Sequence, residues 1–315
     1  MKKYLSLIGI IAFIWIVLSI DTKEVLKCFL NINLYFLAFV GLINIAIVAL
    51  RSLRWVKLLE MQGYNMNFAK AFIAYFQSLY FGNITPARVG ELSRAHFLMK
   101  DFKTNSATAV SSVVFDRVLD MYFILILGII GFLLSNIWSN HWWVQAFFGI
   151  LIFLIPLLIC CPKVTLTLIK ILPNWWQLRS RVSNWFKTFF EGIKCFLIPK
   201  VSTSVILTAI IYLLFFIQCL YLAYSIDLKI NFFYLVFCIV VFSIVTLLPI
   251  SISGMGTREF VLIFMFKYVN INSEMALTYS ILFFIAINLI LAVLGWMAYT
   301  FYTDKKVLPV KQACK

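Results

Sequence analysis

Acidic side chains and histidine are what this 315-residue chain has least of: twelve Asp and Glu together, and two His. His96 and His141 each stand alone, with no second ligand at metal-binding spacing, so no metal site is expected. None of the seven cysteines is paired as C-x-x-C, and most lie in or beside apolar runs, where a thiol packs as a small hydrophobe. There is no glycine-rich phosphate loop with lysine, no nucleophile-elbow serine and no zinc-protease motif, so no catalytic residue and no cofactor is expected. Charged residues make up 12% of the chain, against roughly 25% in a soluble domain. Hydrophobic residues make up 63%, and the mean hydropathy is +1.00. That balance excludes an ordinary soluble enzyme and predicts an integral membrane protein.

The formal net charge of +15 would suggest nucleic acid in a soluble protein. Here the basic residues fall between apolar runs, as the cytoplasmic bias of membrane-protein loops requires, and no nucleic-acid partner is expected. Apolar runs near 4–20, 34–50, 112–136, 143–161, 201–226, 232–250 and 276–302 are each close to the ~20 residues of a bilayer span. Two others, 68–82 and 257–268, are shorter or interrupted. The expected fold is all-α: a polytopic helical membrane protein of about 7–8 transmembrane helices, some broken or re-entrant, forming one domain over 1–315. No small-residue cleavage site follows Tyr4–Ile20, which is expected to be a retained first span. Lys2 and Lys3 at one end, and Lys305, Lys306, Lys311 and Lys315 at the other, place both termini in the cytoplasm. Basic residues between Arg88 and Lys103 make Phe68–Phe81 a segment that dips in and returns. The spans 112–136 and 143–161 are joined by an outer turn, Ser135–Trp143. Between about 163 and 200, basic residues alternate with Trp175, Trp176, Trp185, Phe186, Phe189 and Phe190. This pattern predicts an amphipathic cytoplasmic helix lying on an anionic membrane face.

Two stretches break the apolar pattern. Phe81–Arg94 reads F-G-N-I-T-P-A-R-V-G-E-L-S-R, and Leu248–Phe260 reads L-P-I-S-I-S-G-M-G-T-R-E-F. Each has a proline (Pro86, Pro249), glycine (Gly90; Gly254 and Gly256), and then Arg and Glu at a helix restart, in the manner of the paired discontinuous helices of transporters. Arg88, Glu91 and Arg94 are three apart on one side of the restarting helix. Asp116 and Asp120, in D-R-V-L-D, share a helical face and repel unless cations approach; Arg88, Arg94 and Arg258 are the available partners. Charge in the bilayer costs about 2.5–3.5 kcal/mol per residue, so such residues mark a polar cavity for a charged headgroup. Arginine's planar fork suits phosphate oxygens. An ion-pair network that only fixes the broken helices is the plainer alternative.

The segments P-A-R-V-G-E-L-S-R at 86–94, D-R-V-L-D at 116–120 and S-G-M-G-T-R-E at 253–259, with the surrounding spans over roughly 5–302, resemble the flippase-like family related to the transmembrane region of lysylphosphatidylglycerol synthases. The resemblance implies an inner-membrane fold with re-entrant helices around a lipid cavity lined by Arg88, Glu91, Arg94, Asp116, Arg117, Asp120, Arg258 and Glu259. The partner it implies is an anionic or aminoacylated phospholipid, or a polyprenyl-linked lipid, moved between leaflets. The soluble aminoacyl-transfer domain of the full-length synthases does not follow the last span, so lysyl transfer by this polypeptide alone is not expected. A membrane-embedded transferase, and a non-catalytic lipid-binding subunit of a separate synthase, are the competing readings.

Overall fold

The structure is a computed structural model describing residues 34–135, 149–150, 176–196, 201–247 and 254–303. The expected spans 4–20 and 143–161, the outer turn beyond Ser135, both termini and the break at Pro249 lie outside the described residues. Every element described is helical: α1 (Leu34–Met61), α2 (Phe68–Ile84), a 3-10 segment (Pro86–Leu92), α3 (Ser93–Phe102), α4 (Ser106–Ser135) and α5 (Trp176–Lys194) come first. They are followed by α6 (Ser202–Tyr224), α7 (Phe232–Val245), α8 (Thr257–Lys267), α9 (Ser273–Phe283), a π segment (Phe284–Leu289) and α10 (Ile290–Thr303). Among the described residues four helical stretches are long and apolar enough to cross a membrane: Ala38–Met61, Ser106–Ser135, Ser202–Tyr224 and Ser273–Phe301. At 1.5 Å per residue the shortest reaches about 35 Å, past the ~30 Å hydrocarbon thickness. The outward faces are apolar, with Leu42, Leu213 and Ile206 exposed, as lipid contact demands. The chain is an all-helical, multi-pass membrane protein.

The principal core joins α1, α4, α6, α7, α8 and α9 through residues such as Val40, Phe132, Ile211, Tyr234, Leu262 and Tyr279. A second core, around Trp55, Ala71, Leu98 and Val113, ties α2 and α3 to α1 and α4. Two helices depart from the expected limits. The run 34–50 does not stop before its basic residues; α1 continues to Met61 because Trp55, Leu58 and Leu59 keep its buried face going. Likewise α4 starts at Ser106, so Asp116 lies in its third turn rather than near its beginning.

The first break is closed by one side chain. The Thr85 hydroxyl donates to the Phe81 carbonyl at 2.9 Å and accepts the Gly90 N–H at 2.7 Å. Pro86 starts the 3-10 segment, where a missing N–H costs nothing. A methyl group at Gly90 would run into the Phe81 carbonyl, so only glycine lets the chain fold back this closely. The second break turns on Gly254 and Gly256, at φ 79° and 84°, the left-handed region that glycine enters without strain. Beyond it the Glu259 carboxylate reaches back to accept the Gly256 N–H at 2.7 Å, capping α8. A third irregularity, the π segment, interrupts the last long span. Its carbonyls are taken by asparagines from other helices: Asn44 donates to Ala286 O at 2.6 Å, and Asn83 to Asn288 O at 3.0 Å.

The amphipathic segment forms α5, but the apolar face described is not spread on a bilayer. Phe189, Phe190, Ile193 and Phe196 are buried against Leu58, Ala107, Phe115 and Leu119. Trp185 donates its indole N–H to Ser106 at 3.1 Å, and Gln62 bonds Ser111 at 3.0 Å beside Gly192. An amphipathic pattern states that one face must be buried without naming what covers it, and here α1 and α4 cover it. Trp175 and the side chains of Trp176, Arg179 and Arg181 lie outside the described residues.

Candidate functional site

Eight polar residues from six elements meet at the first break. Asp116, fully buried, takes Arg54 Nε at 2.8 Å on one oxygen and Arg94 Nη1 at 3.0 Å on the other. Arg117 and the Tyr75 hydroxyl share that second oxygen, each at 3.3 Å. Arg54 also reaches Asp120 Oδ1 at 2.8 Å and Thr208 Oγ1 at 2.9 Å, so its fork spans both carboxylates of the D-R-V-L-D helix face. Arg117 bridges Glu91 at 2.9 Å and Asp120 at 3.2 Å, and bonds the Tyr75 hydroxyl. The Arg94 guanidinium stacks 4.2 Å from the Tyr75 ring centroid and 5.3 Å from that of Trp55, adding a cation–π component to its ion pair. The fourfold partnering of Asp116 makes a buried charge tolerable here.

At the second break Arg258 pairs with Glu259 and donates to Ser280 at 2.8 Å, while Ser280 donates to Glu259 at 3.0 Å. Phe284, the first residue of the π segment, lies 5.2 Å from the Arg258 guanidinium carbon.

Between the breaks lies a cavity of about 530 Å³. The first break supplies Thr85, Arg88, Val89, Glu91 and Leu92, and the second supplies Thr246, Leu247 and Arg258. Arg117, Asp120, Asn44, Asn83 and Asn288 add polar groups, and Ile47, Val48, Leu79, Leu125, Phe215 and Phe242 form apolar wall. Of the eight residues expected around a cavity, Arg88, Glu91, Arg117, Asp120 and Arg258 line it. Arg94, Asp116 and Glu259 are held behind the wall by their own partners, at most 0% exposed each. The expected partners of the paired aspartates need correction as well. Arg94 reaches Asp116, but Arg88 bonds Asn288 at 3.3 Å and Arg258 turns to Glu259.

Arg54 stands in the sequence only as one of the basic residues, Arg51, Arg54 and Lys57, that follow the second apolar run, yet in the fold it joins both aspartates, as Arg117 also does. Arg51, one turn before it and in the same basic group, lines the cavity. The signal that marks them is the helical stripe Asn44, Ile47, Val48, Arg51, which places a polar edge on the inward face of α1. Among the described residues no group of three His, Cys, Asp or Glu side chains could hold a metal ion.

Residues 5–295 match the family model described as the lysylphosphatidylglycerol synthase TM region. The chain is also similar to two proteins of Methanocaldococcus jannaschii, each named as a UPF0104 membrane protein. One is 23% identical over 312 residues, covering 93% of both chains. The other is 24% identical over 216 residues, covering 65% of this chain and 86% of the relative. No solved structure matches.

Proposed function

The chain belongs to the lysylphosphatidylglycerol synthase TM region family, and from that premise we propose that it is a transporter of a phospholipid or lipid-linked substrate. In this reading the cavity between the two breaks receives the charged headgroup and the protein moves it between leaflets of the cell membrane. The observation that carries the reading is the composition of the cavity wall: arginines from the spanning helices (Arg51, Arg117) and from the two breaks (Arg88, Arg258) beside long apolar side chains. A ligand with a charged head and hydrocarbon tails satisfies both surfaces at once, whereas a small soluble anion leaves the apolar wall uncovered. The basic break 88–103 and the segment 163–200 face the cytoplasm in this reading, as do both termini.

Purified protein reconstituted alone into liposomes with a fluorescent phospholipid in both leaflets tests the proposal. Lipid movement is expected to make the inner-leaflet pool accessible to an external quencher faster than in protein-free vesicles. Equal rates would refute transport. Product formed from lipid and an activated donor would instead identify a membrane-embedded transferase.

A further inference from the structure

Charge does not balance around the cavity, and the residues left over can be identified. Among the described residues six arginines stand at or directly behind its wall (Arg51, Arg54, Arg88, Arg94, Arg117, Arg258), against four acids (Glu91, Asp116, Asp120, Glu259). Every one of the four acids is in contact with an arginine, and those contacts use Arg54, Arg94, Arg117 and Arg258. Arg51 and Arg88 remain. Arg51 has no ion pair among the described residues, and its Nε is buried without a hydrogen-bond partner. Asp120 shares the cavity with it, but the two Asp120 oxygens go to Arg54 and Arg117. Arg88 hydrogen-bonds one neutral group, the Asn288 side-chain oxygen; Glu91 is near enough to attract it and Arg117 and Arg51 near enough to repel it, but among the described residues it forms no ion pair, and Glu91 is taken by Arg117.

The backbone at Arg88 strengthens the assignment. Its φ is 55°, a left-handed conformation that a non-glycine residue adopts only against steric strain. Thr85 and Gly90 on either side hold the turn that imposes it. Strain maintained to present an unpaired cation to a cavity is characteristic of a binding residue. A structural arginine would be expected to rest on an acid, as Arg54 and Arg94 do.

We propose that Arg51 and Arg88 together bind the phosphate of the substrate, and that the two open charges select a headgroup carrying two negative charges, a phosphomonoester or a diphosphate, over a singly charged phosphodiester. The inference rests on the cavity reading above and names its substrate class. The cluster built on Asp116 is then scaffold, and Asn288 is a positioning residue that aims Arg88.

The experiment uses the full-length protein in neutral detergent at pH 8, titrated with dihexanoyl phosphatidic acid, dihexanoyl phosphatidylglycerol and glycerol 3-phosphate. Phosphatidic acid is expected to bind on the order of tenfold or more tightly than phosphatidylglycerol, the scale of one extra charge-assisted bond. Arg51→Gln and Arg88→Gln should each narrow that gap while leaving the ligand-free melting temperature close to that of the parent, because neither removes the partner of an acid. Arg51→Lys and Arg88→Lys, which keep the charge, should retain the preference for phosphatidic acid. Lys57→Gln, which breaks an exposed pair with Glu60, should change nothing. Equal binding of the two lipids by the parent protein, or an unchanged preference in both glutamine variants, overturns the inference while leaving transport untouched. Glycerol 3-phosphate binding as tightly as phosphatidic acid would keep the arginine assignment and refute the lipid as its source. Arginine-dependent binding without movement of lipid in liposomes would refute transport and leave this inference standing.

Discussion

Replacing Arg54 by leucine removes one of the two side chains, Arg54 and Arg117, that contact both aspartates of α4, and the fully buried one of the two. Breaking a buried ion pair from one side typically costs about 3–5 kcal/mol, because the remaining charge is left without a partner. The geometry places this variant near the lower end. Asp116 keeps Arg94 and Arg117, and Asp120 keeps Arg117, so neither carboxylate is orphaned. Asp116→Asn should be more damaging than Asp120→Asn, since Asp116 holds three cations and is fully buried whereas Asp120 holds two. In the double variant Arg54→Leu with Asp120→Asn the losses should not add; a coupling of about 0.5–3 kcal/mol is expected for residues in one network. Heating purified variants in detergent and measuring the folded fraction by gel filtration gives the order of stability, and denaturant titration gives the coupling. Arg54→Leu within about 1 kcal/mol of the parent, or strict additivity in the double variant, would refute the reading of this cluster as the scaffold that joins α1, α3 and α4.

Two further outcomes follow from the breaks. Gly90→Ala should collapse the first break, because the new methyl group meets the Phe81 carbonyl, while Gly41→Ala, with nothing within 4 Å, should be neutral or stabilising by up to about 1 kcal/mol; the yield of monodisperse protein and its melting temperature separate them. If the break faces the cytoplasm, single cysteines replacing Thr85 or Lys100 on a cysteine-free background should react with an impermeant reagent only from the cytoplasmic side, and periplasmic-only labelling would reverse the topology.

The breaks were legible because backbone chemistry is local. Pro86, Gly90, Gly254 and Gly256 restrict or release dihedrals by themselves, so a helix interruption can be placed from a few consecutive letters. The π segment left no such mark. It contains neither proline nor glycine, and what sustains it is Asn44 and Asn83 reaching its carbonyls from 242 and 205 residues away. Glu259 was legible as an acid beside Arg258, but its second role, capping Gly256, depends on where α8 begins.

The arginines show where reading by spacing ends. Arg51, Arg54 and Lys57 look like one basic cluster closing a span, and the charge bias of cytoplasmic loops accounts for all three equally well. Folding separates them: Lys57 pairs with Glu60 at the surface, Arg54 joins acids 62 and 66 residues away, and Arg51 faces the cavity with no ion pair among the described residues. Periodicity could place Arg51 and Arg54 on the inward face of α1, one turn apart. It could not rank them, because the difference lies in α4, which brings two aspartates to the level of Arg54 and none within ion-pair distance of Arg51. A buried charge has to be satisfied by something. Where the fold supplies the partner, the arginine is part of the scaffold; where it does not, the position is open to an anionic ligand. The line between architecture and binding site in this protein therefore runs between two residues of a single helical turn.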